Sequence, residues 1–321
     1  MYRKCPGMLL AACAWIAAGF PVAAPAQADT CDVTLMVLGI AQDAGRPQLG
    51  HPEDPAWTDR SLVRHAASLA LVDTRGEEPR RWLFEATPDV RVQLDMLDRR
   101  FPTEAYVGVD GIFLTHAHIG HYTGLMHFGF EAARTDGVPV YAMPELKRFL
   151  ETNGPWDQLV DYGNIAIVPL ADNVSVELAD QVSVTPFEVP HRREYAETVG
   201  FRIDGPGRRA IFIPDIDSWE AFDEAGTRIE ALIAAADLAF LDATFYGDEL
   251  PDISRFPHPK ILDQMDRFDT MAAKDKAKIR FIHLNHSNPA LTPGSKEAQT
   301  VQARGYAVAA EGETHCLEAG Y

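Results

Sequence analysis

The chain is short of cysteine, carries no long run of basic residues and shows no internal repeat at a period of roughly 20–50 residues. It also lacks an apolar stretch long enough for a comfortable transmembrane span. Each absence closes off a class. Without repeats the chain is neither a solenoid nor a propeller. The net charge of −18, with 29 basic against 47 acidic residues, leaves no basic footprint to displace counterions, which excludes a nucleic-acid substrate. An acidic surface instead suits solubility in an export compartment. Of four cysteines, Cys5 and Cys13 fall in an N-terminal leader, so only Cys31 and Cys316 belong to the remainder. His315 directly precedes Cys316, but metal or nucleophile duty is not expected of either cysteine. They either pair in an oxidising compartment and clasp the two ends of the chain, or are two buried free thiols.

The leader is set apart by composition. Arg3 and Lys4 form a basic start, residues 8–22 are apolar and Ala-rich, and Ala26-Gln27-Ala28 places small residues where a signal peptidase reads. The expectation is a signal peptide over residues 1–28, cleaved before Asp29, and a periplasmic or secreted protein. A lipoprotein site at Cys13 has too little apolar sequence before it. No integral membrane segment is expected after cleavage.

Residues 29–321 have the composition of an ordinary globular protein, with 46% apolar and 24% charged residues in the whole chain, and are expected to form one domain. Strands are predicted at 33–40, 67–72, 81–85, 111–114 and 138–142, with a helix from Thr87-Pro88-Asp89 to about 99 and another opening at Pro144. Residues 165–213 change to several short strands with a tight hairpin at Gly205-Pro206-Gly207. Helices at 218–223, 227–236, 259–268 and 295–304 then alternate with strands at 238–241, 279–284 and 306–309. The pattern suggests two sheets packed face to face with helices outside.

The chemistry concentrates between Phe113 and Gly124. His116, His118 and His121, three of eleven histidines, follow a short apolar strand and precede an amphipathic segment at 122–134, a strand–loop–helix pattern. In extended backbone His116 and His118 share a face, and His121 comes round to it one turn later. Three imidazoles aimed at one point would repel one another once protonated, so a metal explains them best. A catalytic centre needs further ligands at strand ends, and two metals need a bridging carboxylate. His191 ends the strand at 182–189, and Asp215 follows the apolar run 210–214. Of His283 and His286, only one need be a ligand. His286 is the expected one, because His283 lies within the predicted strand. Asp242 ends the strand at 238–241, and His258 follows in Phe256-Pro257-His258-Pro259. This carboxylate–imidazole pair would supply a proton to a leaving group, or be structural.

The order His116-x-His118-x-x-His121, then His191, Asp215 and a late histidine resembles the metallo-β-lactamase superfamily over the mature chain. The resemblance implies an α/β (α+β) fold, a four-layer αββα sandwich with the metal site at one edge of the sheets. It also implies that His116, His118 and His191 hold one metal, that His121 and His286 hold a second, and that Asp215 bridges them. The superfamily places Asp immediately before the last histidine of the cluster, but here that residue is Gly120. Its absence removes an oxygen ligand from the second site. Within the superfamily, Leu38-Gly39 with Gly45-Arg-Pro-Gln48, His121-Tyr-Thr-Gly124, Leu241-Asp-Ala-Thr-Phe245 and Phe281-Ile-His-Leu-Asn-His-Ser-Asn-Pro289 resemble the pyrroloquinoline-quinone biosynthesis protein B family. That family's cysteine cluster is missing here, with His51 and Pro52 roughly in its place. Asp242-Ala-Thr with His258 is also similar to the phosphodiesterase branch that includes tRNA 3′-processing nucleases, where an acid–His pair assists the leaving group.

These features together predict an exported metal-dependent hydrolase acting on an ester, amide, lactone or phosphodiester of a small-molecule substrate. Asp215 would orient a hydroxide and His258 would protonate the leaving group. The metal is expected to be Zn2+, one or two ions, with iron or manganese as alternatives. Oxidative iron chemistry in cofactor biosynthesis is the second reading, and a non-catalytic metal-binding protein the third. The oligomeric state is not encoded in any feature of the sequence.

Overall fold

The computed structural model describes residues 31–250 and 253–320, and the signal expected at 1–28 lies outside them. In chain order the strands are β1 (Val33–Gly39), β2 (Ser68–Asp73), β3 (Arg80–Phe84), β4 (Gly111–Phe113), β5 (Val138–Ala142), β6 (Ile165–Pro169), β7 (Val176–Ala179), β8 (Val182–Glu188), β9 (Val199–Asp204), β10 (Arg209–Ile213), β11 (Leu238–Asp242), β12 (Ile279–Ile282), β13 (Ala307–Val308) and β14 (Thr314–Cys316). They form two seven-stranded mixed sheets, ordered β14-β1-β2-β3-β4-β5-β6 and β13-β12-β11-β10-β9-β8-β7.

Strands β1 and β2 are buried along their whole length, as their near-continuous apolar sequences require of strands covered on both faces. Alternate residues divide between the faces. On the inner side Leu35, Leu69, Leu71, Trp82 and Phe84 join the core shared with the second sheet. Met36, Ala70, Val72 and Leu83 join a separate outer core. The inner layers meet through aromatic rings, with Phe84 and Phe113 each 5.6 Å from Phe201.

Helices complete the sandwich. Alongside the single turn α2 (Ile119–Tyr122), the helices α1 (Val90–Arg100), α3 (Pro144–Thr152) and α4 (Trp156–Asp161) place Leu97, Leu146, Leu150 and Leu159 in the outer core of the first sheet. On the second sheet, α5 (Trp219–Glu224), α6 (Ile229–Ala235), α7 (Ile261–Arg267) and α9 (Lys296–Ala303) contribute Trp219, Phe222, Ile233, Met265 and Val301, while α8 (Ala273–Lys276) buries no residue. The αββα order is that of the four-layer α/β sandwich expected from the sequence. No helix among the described residues is long and apolar enough to cross a membrane.

The helix predicted over 122–134 does not form. After α2 the chain runs as a 3-10 helix over Thr123–Phe128 and then turns. The Gly124 N–H donates to the Ala86 carbonyl at 2.8 Å instead of extending an α-helix. A Cβ on Gly124 would meet the Thr87 carbonyl oxygen at 2.0 Å, so the histidine loop lies directly against the end of β3. Strand β14 and helix α4 carry no strong periodic signal in the sequence and are additions to the expected elements.

The cysteines pair. Cys31 and Cys316 form a disulfide across 285 residues, joining the start of β1 to β14, where Thr34 stands opposite Cys316. Cross-linking the two ends restricts the unfolded chain. Replacing both cysteines by serine should therefore lower the unfolding free energy by about 2–4 kcal/mol, read as a lower midpoint in guanidinium. An unchanged midpoint would show that β14 is held by its ladder alone.

Candidate metal centre

Five segments that leave the C-terminal ends of strands, and the last residue of a sixth strand, converge at one edge of the sandwich. His116 and His118 follow β4, His191 follows β8, Asp215 follows β10, His283 follows β12, and Asp43 follows β1. At the end of β11 stands Asp242.

His116, His118 and His191 form one group. His116 Nε2 and His191 Nε2 lie 2.8 and 3.2 Å from His118 Nδ1. Each ring is anchored through its other nitrogen: His116 Nδ1 to the Thr115 hydroxyl at 2.8 Å, His118 Nε2 to Glu194 at 2.9 Å and His191 Nδ1 to Asp217 at 2.9 Å. Such partners set the tautomer and turn the remaining lone pair inward. Imidazole nitrogens bound tetrahedrally to zinc at ~2.05 Å stand about 3.3 Å apart, close to the spacing here. Burial, reinforced by the neighbouring His121 charge, holds His116 well below the ordinary imidazole pKa, and burial also lowers His118. Both are thereby kept in the neutral form a metal requires.

Asp215 links this group to a second one. Its Oδ1 is 3.6 Å from His191 Nε2, and its Oδ2 lies 3.0 Å from His121 Nε2 and 3.3 Å from His283 Nε2. His121, on α2, also has Nδ1 3.3 Å from the fully buried Glu85, which accepts from the Thr115 hydroxyl and N–H. Burial alone would suppress protonation of His121 and His283. For His121 the carboxylates of Asp215 and Glu85 outweigh it and raise its pKa well above the usual value. Asp215 and Asp242 do the same for His283, to about 10. Burial pushes Asp215 up, but His283 and His121 hold it well below the carboxylate range. Positive charge thus stabilises this pocket strongly.

Asp242 is fully buried, and its two oxygens are spoken for. Oδ1 accepts from the Thr244 N–H and hydroxyl, at 3.0 and 2.8 Å, while Oδ2 accepts from the Ile216 N–H and lies 2.8 Å from His258 Nδ1. Burial opposes protonation of His258, but the Asp242 carboxylate outweighs it and raises the pKa above that of an ordinary imidazole. With Nδ1 engaged, Nε2 is the atom left for a substrate. His258 also lines a cleft of about 540 Å³ together with Arg192, Arg255, Phe245, Phe256 and His286.

Of the six predicted metal ligands, the structure gathers His116, His118, His121, His191 and Asp215, and it brings Asp242 and His258 together. His286 does not join them. Its ring packs on His51 with centroids 4.1 Å apart on the cleft wall, and His283 takes the place expected of it. The reason is local. β12 ends at Ile282, and His283 has φ +62°, a left-handed residue that turns the ring out of the strand's alternation and into the site. Asp43 is a further member that sequence reasoning missed. It stands in a polar loop far from the histidine cluster in sequence, and its only local sign is a turn-rich setting.

The donor set fits a metal. His121 Nε2, Asp215 Oδ2 and His283 Nε2 are buried and make no hydrogen bond of acceptable geometry among the described residues, although the two nitrogens lie 3.0 and 3.3 Å from that oxygen. The three donors are gathered together without being paired off.

Comparison with known proteins agrees. The chain is 27% identical to Coenzyme PQQ synthesis protein B of Methylorubrum extorquens, covering 87% of this chain and 98% of that one. Against the protein of the same name from Xanthomonas axonopodis pv. citri the identity is 28%, with the same coverage. Its structure is similar to that of Zn(2+)-bound PqqB from Methylobacterium extorquens, with a TM-score of 0.70 and 25% identity over 88% of this chain and 99% of that one. A diphosphatase from the PhnP family shares the fold, with a TM-score of 0.60 and 21% identity over 88% of this chain and 96% of that one. Residues 80–286 match the Beta-lactamase superfamily domain. That span runs from β3 to just beyond β12 and takes in every gathered histidine together with Asp215, and the chain belongs to the β-lactamase superfamily.

Proposed function

We propose that this protein is a metal-dependent hydrolase of small substrates, working outside the cytoplasm. The observation that carries the reading is Asp215, a buried carboxylate placed between two groups of histidine nitrogens with one oxygen toward each. His116, His118 and His191 would hold one divalent cation, and Asp215 would be shared with a second. Zinc suits the first set of three imidazoles, with iron and manganese as alternatives. A cation held there would act as a Lewis acid and lower the pKa of a bound water towards about 7.

The chain's own groups supply the rest. Asp215 orients the attacking oxygen by accepting its hydrogen bond. His258, kept protonated by Asp242, donates its proton to the departing oxygen or nitrogen. Arg192 and Arg255 on the cleft wall favour a substrate bearing negative charge, such as a phosphodiester or an ester with a nearby anionic group. Amides and lactones need the same two steps. The disulfide and the basic, apolar leader both support export.

The similarity to Coenzyme PQQ synthesis protein B along nearly its full length supports a second reading, iron-dependent oxidation in cofactor biosynthesis. Hydrolysis is preferred because the Asp242–His258 pair, on the wall of the cleft, provides a proton donor for a leaving group. Oxygen uptake by anaerobically iron-loaded protein would favour the oxidative reading.

His116→Ala should lower metal content and reduce hydrolysis of a phosphodiester or ester panel by at least about 100-fold. Equal activity in the variant, from protein purified with under half an equivalent of metal, would overturn the proposal. His258→Ala should slow substrates with alkoxide leaving groups about 10²–10⁴-fold and p-nitrophenolate substrates far less. An equal loss on both would assign His258 a structural role. Because His258 acts protonated and its pKa is raised, activity should fall only above the ordinary imidazole range. In Asp242→Asn that alkaline limb should move to lower pH.

A further inference from the structure

The resemblance leaves one position unexplained: Gly120, where the superfamily places a metal-binding Asp. Gly120 is buried and has no positive φ, so its backbone does not require glycine. The space around it does. A Cβ there would lie 2.2 Å from Asp43 Oδ1, 2.4 Å from Asp43 Cα and 2.8 Å from Asp43 Cβ. Backbone atoms at that range cannot move aside without displacing the whole loop. The volume that a residue-120 side chain would enter is filled by Asp43.

Asp43 also brings the missing chemistry. Its Oδ1 is 3.2 Å from His121 Nε2 and 3.9 Å from His283 Nε2, the same two nitrogens that crowd Asp215 Oδ2. One atom each from Asp43, His121 and His283 lie within 4.8 Å of one another. The loop is held where this requires. Ala41 bridges to Leu284, the Gln42 N–H donates to the Leu284 carbonyl at 2.8 Å, and the Asn285 amide donates to the Gln42 side chain. Asp43 is therefore fixed to the segment that carries His283. It adopts φ +28°, a left-handed conformation that Asp tolerates better than most residues.

We propose that Asp43 is a relocated metal ligand: it replaces, from the loop after β1, the carboxylate lost at position 120, and completes a second cation site with His121, His283 and Asp215. The proposal rests on the metal centre described above. It makes Gly120 and Asp43 a reciprocal pair, each excluding the alternative placement of the same functional group.

The test is metal stoichiometry by plasma mass spectrometry together with Zn2+ and Co2+ titration of the full chain. Wild type should bind two equivalents. Asp43→Gly, which suits the positive φ and removes the carboxylate, should bind one. The double variant D43G/G120D should regain the second, and Gly120→Asp alone should lose it because the two carboxylates collide. Asp43→Asn keeps the shape and should weaken the second equivalent about tenfold or more, since even outer-sphere partners are worth 10–100-fold. Two equivalents of undiminished affinity in both Asp43→Gly and Asp43→Asn would overturn the proposal. So would one equivalent in wild type that Asp43→Asn leaves unchanged. Wild type that binds no Zn2+ or Co2+ would instead overturn the metal centre itself, a result that no Asp43 variant can produce.

Discussion

A carboxylate buried among imidazoles is the constraint on which this structure turns. Asp215 is 3% exposed, and at that depth an unpaired charge would be expensive. The surrounding rings of His121 and His283 offset it by taking up protons, which Glu85 beside His121 and Asp242 beside His283 also favour. The cluster is therefore balanced with protons in place, and a divalent cation can take over that positive charge. Metal and protons compete for the same lone pairs, which couples metal affinity to pH.

The sandwich exists to bring those groups together from distant parts of the chain. Parallel pairing of β3 with β4, and of β10, β11 and β12 with one another, points successive strands the same way, so that their C-terminal loops open on one edge. The β1 loop reaches that edge by bridging to Leu284. Outer nitrogens are pinned by Thr115, Glu194 and Asp217, so the inner ones are aimed before any ligand arrives. This preorganisation distinguishes a site from a chance cluster of surface histidines.

Much of this was legible in the sequence because it rests on periodicity and spacing. Apolar strands buried on both faces announce themselves, and His116 with His118 share a face through the two-residue repeat of extended backbone. The pairing of Asp242 with His258 followed from one residue ending a strand and the other lying in a Pro-flanked loop. What stayed hidden depends on single backbone angles and on contacts distant in sequence. Strand alternation carried through 283 favours His286 over His283, but β12 ends at Ile282 and His283 sits in a left-handed turn that no composition marks. Gly120 could be read as a loss, but its compensation by Asp43 lies 77 positions upstream and becomes visible only when the loop after β1 is laid beside the segment after β12. The helix expected at 122–134 does not form for a similar reason, since the contact of Gly124 with Ala86 and Thr87, just after β3, is tertiary.

Asp215, with one oxygen toward each histidine group, is placed to stand between two cations. A crystal structure of zinc-soaked protein, with anomalous differences recorded on both sides of the zinc edge, tests it most directly. One peak is expected about 2.0–2.1 Å from nitrogens of His116, His118 and His191, and another beside His121, His283 and Asp43, with Asp215 between them. Peaks elsewhere, for instance on His286 and His51 with none at Asp215, would contradict it.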